Sequence, residues 1–241
     1  MSFLVAGGAG AIVLAAFLGG LTGFGFNLVA TPLLLLLGME PAAAVAINLT
    51  IALITRVVVA FRLRPFIRWR RALPLTAASI PGLVLGAVVG GMVDPSLLRI
   101  MTGILVLIVT PVLVLRRPTP GDKSPAKYAL AGFSGGALAT TTSLNGVPVA
   151  LSLSAEAADQ RSFIADLAVY FVLSNIVGLG VLLVRDGVDL SDVGLLAWWL
   201  PGAVLANWVG TAVAPRINPK VFRLITCGLV MAAGVATLVS A

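Results

Sequence analysis

"GALATTTSLNGVPVALSL" (136–153) interrupts a run of apolar residues with Thr140, Thr141, Thr142, Ser143, Asn145, Gly146 and Pro148. A continuous membrane helix has no need of such a cluster, whereas a broken one does. The stretch "GLTGFGFNLVATPLLLLL" (20–37) aligns with it, Gly20 falling on Gly136 and Pro32 on Pro148. Paired apolar segments interrupted at matching places, each opening one half of a chain, are the sequence mark of a duplicated membrane carrier. How these two stretches are read therefore decides the fold.

Composition places both in lipid. Of 241 residues 59% are hydrophobic and 10% charged, with a mean hydropathy of +1.10, whereas soluble domains carry about 25% charged residues. Apolar spans at 3–37, 44–61, 73–93, 96–115, 127–154, 163–184, 193–214 and 219–239 are separated by short polar links. Most suffice to cross a hydrocarbon layer of about 30 Å as a helix. The expectation is an all-α polytopic membrane protein forming a single membrane domain over 1–241. Met1-Ser2-Phe3 carries no basic residue and the apolar run continues to Gly38, so the first span reads as retained rather than as a signal peptide.

Several function classes fall away. With no histidine and Cys227 as the one cysteine, neither an intrachain disulfide nor a transition-metal site is expected. No phosphate loop or nucleophile and base pair is present, so neither an enzyme nor a cofactor is expected. The net charge of +7 lies in the links and reports orientation in the membrane rather than nucleic-acid binding.

A second repeat signal comes from "IPGLVLGAVVGGMVDPSLLRIMTGILVL" (80–107) laid on "LPGAVLANWVGTAVAPRINPKVFRLITCGLVM" (200–231). Pro81-Gly82 falls on Pro201-Gly202, Gly90 on Gly210, Pro95 on Pro219 and Arg99 on Arg223. Repeat one is expected over about 1–116, repeat two over about 127–241, with a linker at 117–126. Charge relates the halves. The link "RLRPFIRWRR" (62–71) carries five arginines and "RRPTPGDKSPAK" (116–127) nets +3. In the second half "RDGVDLSD" (185–192) nets −2 and "PRINPKVFR" (215–223) nets +3. If 3–37 and 127–154 each re-enter on the side they left, each half adds three transmembrane helices, the halves are inverted, and the basic links are cytoplasmic. Eight simple transmembrane helices are the alternative, with 215–223 outside.

A helix broken in lipid leaves backbone N–H and C=O groups that protein, water or ligand must satisfy, so a break belongs beside a cavity. The N-terminus of a half-helix attracts anions. Candidate substrate-binding residues are Thr22, Gly23, Gly25, Asn27, Thr31 and Pro32 in the first half. Thr140, Thr141, Thr142, Ser143, Asn145, Gly146 and Pro148 match them in the second, and the two breaks are expected to face each other across an anion site. Small and hydroxylated residues also simply let membrane helices pack. Asp166 and Arg56, ionisable within spans, are candidates for proton coupling and counter-charge. Asn48, Asn175 and Asn207 line a pathway or bridge helices, and Trp69, Trp198, Trp199 and Trp208 are interfacial or packing aromatics.

These residues resemble the sulfite exporter TauE/SafE family of bacterial membrane proteins. The resemblance rests on "GGLTGFGFNLVATPLLLLLGMEPAAAVAINLT" (19–50), "LPLTAASIPGLVLGAVVGGMVDPSLLRIMTGILVL" (73–107) and "GFSGGALATTTSLNGVP" (132–148), and with 200–231 it covers essentially the whole chain. It implies a bacterial cytoplasmic (inner) membrane carrier exporting a small anion such as sulfite, a sulfonate or a related organic anion. Its partners would be membrane lipid and the small anionic substrate, with a homodimer or larger membrane complex left open. The family tends to have a richer glycine run before each proline; here "GFGFNLVATP" and "ATTTSLNGVP" put polar side chains where bare backbone is usual. A secondary carrier working by alternating access, with proton coupling, is the leading reading. The alternative is an accessory or structural subunit of a larger complex with a transporter-like fold.

Overall fold

The computed structural model describes residues 2–115, 125–154, 160–186 and 191–214, with scattered positions from Gly228 onward. The span expected at 219–239, the links 117–124 and 187–190, and Cys227 lie largely or wholly outside the described residues. The described elements are all helical: α1 (Ser2–Thr22), α2 (Phe26–Leu36), α3 (Pro41–Arg62), a 3-10 turn (Arg64–Phe66), α4 (Trp69–Met92), α5 (Pro95–Leu115), α6 (Pro125–Thr142), α7 (Gly146–Ser154), α8 (Gln160–Asp186) and α9 (Ser191–Val213). Lipid offers the backbone no hydrogen-bond partner, so runs of Leu, Ala, Val and Ile this long satisfy it internally as helices. Val5–Thr22, Pro41–Arg62, Trp69–Met92, Arg161–Arg185 and Gly194–Val213 are long and apolar enough to cross a membrane, and Phe26–Leu36 is a shorter apolar helix. The regions 3–37 and 127–154 are each two helices rather than one.

The chain forms two compact units, and each gathers pieces distant in sequence. The first contains 1–48, 93–116 and 189–241, hence α1, α2, the start of α3, α5 and α9. The second contains 49–92 and 117–188, hence the rest of α3, α4, α6, α7 and α8.

Within the first unit α1 lies against α9 at backbone distance. Gly20 faces the Asn207 carbonyl and Gly210 faces the Phe17 carbonyl, so closely that a β-carbon on either would overlap the backbone of the opposing helix. Such small-residue contacts bring helices together where lipid supplies no hydrophobic drive between them. Polar side chains then fix the pair. Asn207 Nδ2 donates to the Ala16 carbonyl at 3.2 Å, and the buried Trp199 indole N–H donates to the Val5 carbonyl at 2.9 Å.

The second unit repeats this contact with α4 and α6. Gly82 faces the Phe133 carbonyl and Gly136 the Ser79 carbonyl, joined by Gly132 on Leu75 and Gly86 on Ala137. The two helix pairs therefore share a contact pattern: Gly82 sits on Phe133 as Gly210 sits on Phe17, and Gly136 on Ser79 as Gly20 on Asn207. The α1 and α6 positions correspond as the sequence alignment has them. Those of α4 and α9 do not: Gly82 corresponds in contact to Gly210 rather than to Gly202, a shift of eight residues. A Pro-Gly pair records only local tolerance in a helix. The glycine that must be glycine is the one the opposing carbonyl touches, and Gly202 meets only the Val13 side chain.

Candidate functional site

The two helix breaks are built differently. In the first unit, α1 stops because Gly23 takes φ +86°, a left-handed backbone open to glycine; its N–H still closes on the Gly19 carbonyl at 2.8 Å. Thr22 holds the turn. Its hydroxyl donates to the Leu18 carbonyl at 2.9 Å and accepts the Gly25 N–H at 2.8 Å, with the Phe24 N–H at 3.4 Å. Two of the N–H groups that the break exposes are thus served by one side chain. The short α2 that follows carries Asn27, Thr31 and Pro32, all buried, and Asn48 Nδ2 donates to Thr31 Oγ1 at 3.0 Å. At its far end Gly38, at φ +84°, forms a glycine cap, with its N–H on Leu35 and that of Met39 on Leu34.

In the second unit, α6 ends where Ser143 takes φ +57°. A non-glycine residue in that region is strained, and Ser143 is also fully buried. The Ser143 and Leu144 N–H groups fold back on the Ala139 and Leu138 carbonyls. Asn145 then precedes Gly146, the first residue of α7. Pro148 lies in the first turn of α7, where a missing N–H costs no hydrogen bond.

Donors expected for an anion are partly engaged elsewhere. Thr140 Oγ1 donates to the Leu83 carbonyl of α4 at 2.9 Å, Thr141 to Ala137 at 2.9 Å and Thr142 to Leu138 at 3.2 Å. In this conformation the three threonines turn their hydroxyl hydrogens away from any ligand. Amides further along the chain are joined to one another. Asn145 Nδ2 donates to Asn175 Oδ1 at 2.9 Å, and Asn175 Nδ2 donates to the Leu49 carbonyl at 3.3 Å. Asn145 and Asn175 are fully buried. This relay ties the start of α7 to α8 and α3.

Beside the relay lies a hydroxyl pair. Tyr170 and Ser174, one turn apart on α8, are fully buried and interact with each other, yet neither oxygen completes a hydrogen bond of good geometry among the described residues. A mutual bond would use only one of their two donors, so hydrogen-bonding capacity is left over next to a helix start. Gly135 makes room for it. A β-carbon there would sit 2.5 Å from the Tyr170 hydroxyl oxygen and 3.0 Å from the Asn145 carbonyl oxygen. In the sequence Tyr170 is marked by its place one turn before Asn175, whereas nothing local marks Ser174, or Gly135 among the neighbouring glycines of α6.

The two ionisable candidates separate. Arg56 is 1% exposed, and its guanidinium lies over the Phe171 ring, 5.7 Å from the centroid, one residue from Tyr170. Asp166 sits at the other end of this stretch of α8, nine residues before Asn175 and so about 14 Å away along the axis. Its Oδ1 accepts the Arg68 N–H at 2.7 Å and its Oδ2 lies 3.8 Å from Arg71. The carboxylate thus ties the basic link ahead of α4 to α8. No group of three metal-ligating side chains occurs among the described residues. Taken together, the second unit holds a strained break, an amide relay, two hydroxyls with one donor to spare and a buried cation, a set suited to oxyanion binding rather than bond-making.

The family profile described as sulfite exporter TauE/SafE matches residues 8–237 of the chain. No curated protein and no solved structure matches the chain.

Proposed function

The chain belongs to the sulfite exporter TauE/SafE family, a group of non-enzymatic membrane transporters, and from that membership we propose that it is a secondary carrier exporting a small anion such as sulfite, a sulfonate or a related organic anion. The observation that carries the reading is the second break. There Ser143, Asn145, Tyr170, Ser174 and Asn175 gather fully buried hydrogen-bonding groups at the start of a half-helix, with the Arg56 guanidinium one residue from Tyr170 on the Phe171 ring. An anion leaving water loses several kcal/mol of hydration, roughly, unless donors and opposite charge replace it. Neutral donors supply geometry and Arg56 supplies charge.

Transport then proceeds by alternating access between inverted halves, in the membrane of a bacterium. The first break, around Thr22, Gly23, Gly25, Asn27, Thr31 and Pro32, is its counterpart in the first unit, held shut by the Thr22 hydroxyl. Proton coupling acts through Asp166. Protonation removes the negative charge that faces Arg71 and weakens the hold on the link before α4, so proton uptake and movement of that link are joined.

Flux of radiolabelled sulfite, sulfonates and carboxylates into proteoliposomes, with and without a proton gradient, tests the reading. Saturable flux is expected, lost on joint replacement of Ser143, Asn145 and Tyr170 and retained with a flattened pH profile in Asp166→Asn. Unchanged pH dependence in Asp166→Asn overturns the coupling assignment. No flux of any anion from folded protein overturns the carrier and leaves the accessory-subunit reading.

A further inference from the structure

Arg62 closes α3, Arg64 opens the 3-10 turn, Arg68 precedes α4, Arg70 and Arg71 lie in its first turn, and Arg161 lies in the first turn of α8. These arginines share one end of the second unit. Arg161 lies over the Phe66 ring of the turn at 5.5 Å, and Asp166 of α8 holds both the Arg68 N–H and Arg71. Among the described residues Asp166 is the carboxylate at this end, and it is fully buried. Arg62, Arg64, Arg70 and Arg161 are exposed and form no ion pair among the described residues. Arg64 lies instead over the Phe61 ring at 5.2 Å.

Orientation in the membrane needs positive charge but no particular arrangement of it. Here the charge is arranged. All six cations are arginine, whose planar fork binds phosphate oxygens in pairs. Two of them rest on aromatic rings, which limits the rotamer freedom lost on binding, and the link is pinned by a buried carboxylate. Beside them Phe61 and Trp69 are 69% and 52% exposed, apolar surface of the kind found at the level of lipid headgroups.

We propose that this collar is a binding site for the phosphate headgroup of an anionic phospholipid, with Arg62, Arg64 and Arg70 as its ligands and Phe61 and Trp69 lying along the adjoining acyl chain. Charge complementarity gives the phosphate, and exposed aromatics at helix ends in a membrane-spanning chain favour lipid over a soluble polyanion. The site is separate from the helix breaks, so it stands whatever the carrier transports.

The test uses the full chain in mild detergent, with phosphatidylglycerol, cardiolipin or phosphatidylcholine added and the retained lipid read by native mass spectrometry. Each basic residue near an anionic surface is worth roughly a fivefold change in binding, so retention of the two anionic lipids should exceed that of phosphatidylcholine by about tenfold or more. It should fall by about tenfold or more in Arg62→Gln/Arg64→Gln/Arg70→Gln and weaken with salt. Lys127→Gln/Arg185→Gln removes charge elsewhere and should leave it unchanged. Equal retention of all three lipids, equal loss in both variants, or a short oligonucleotide bound as tightly as cardiolipin overturns the proposal. If the triple variant fails to elute as a single folded species, Arg70→Gln alone is read, with about a fivefold loss expected and no loss overturning it.

Discussion

Replacing glycine by alanine should have opposite signs at two classes of helical position. Gly82 of α4 is pressed against the Phe133 carbonyl and Gly136 of α6 against the Ser79 carbonyl, well inside the ~3.3 Å at which carbon and carbonyl oxygen normally meet. The opposing atoms are backbone and cannot rotate aside, so a methyl group must force the helices apart. Overpacking of this kind costs about 1–3 kcal/mol, and parting the pair also lengthens the Thr140 to Leu83 bond, now 2.9 Å. Gly10 and Gly180 have nothing within 4 Å of a β-carbon. There alanine only removes the conformational freedom of glycine, which stabilises a helix by about 0.5–1 kcal/mol. The two classes should differ by about 2–4 kcal/mol. At about 2–4 °C per kcal/mol for a chain of this size, Gly82→Ala and Gly136→Ala should lower the Tm by several degrees while Gly10→Ala and Gly180→Ala raise it slightly. Intrinsic fluorescence of the purified protein on heating reports the shifts. Equal shifts in both classes would refute the claim that α4 and α6 meet through backbone.

At Ser143, whose φ of +57° strains any side chain, Ser143→Gly should leave the Tm nearly unchanged, because about 1 kcal/mol of relieved strain offsets a similar gain in unfolded-chain entropy. Ser143→Val should lower it by about 2 kcal/mol or more, and a harmless valine would contradict the left-handed backbone. A double-mutant cycle on Asn145 and Asn175, read by thermal unfolding, should give a coupling of about 0.6 kcal/mol, the average for hydrogen bonds between membrane helices; zero coupling would sever the relay. Outside the membrane, hydrogen bonds from the Ser96 hydroxyl and N–H to Asp94 hold that carboxyl below its ordinary value. A depressed folded-state value stabilises above the ordinary carboxylate range, and the effect is lost as pH falls through the depressed value. Stability should therefore lose an acid-dependent component in Asp94→Asn, and an unchanged acid limb in the Tm profile would remove Asp94 from the account.

Both breaks are legible in the sequence because glycine, threonine, asparagine and proline cluster where an uninterrupted lipid-facing helix would carry large apolar residues. The interruptions at 23–25 and 143–145 fall where "TGFGF" and "TTTSLNGVP" put them. Side-chain roles were less legible. A threonine string reads as a row of donors, yet Thr140, Thr141 and Thr142 give their hydrogens to carbonyls, and a carbonyl's position is not written in residue types. Asp166 likewise reads as an acid within a span, but its partners Arg68 and Arg71 lie 98 and 95 residues earlier and are not written beside it.

What the sequence determined by itself was the solvent and the helix limits, because hydropathy and backbone tolerance are local properties that each segment carries wherever it is placed. Which helices meet was decided only by the tertiary structure. α1 pairs with α9 and α4 with α6, and their register follows the glycines that opposing carbonyls touch rather than the aligned Pro-Gly pairs. Two glycines look alike in a sequence, but only one of them has the backbone of another helix within reach of its missing β-carbon.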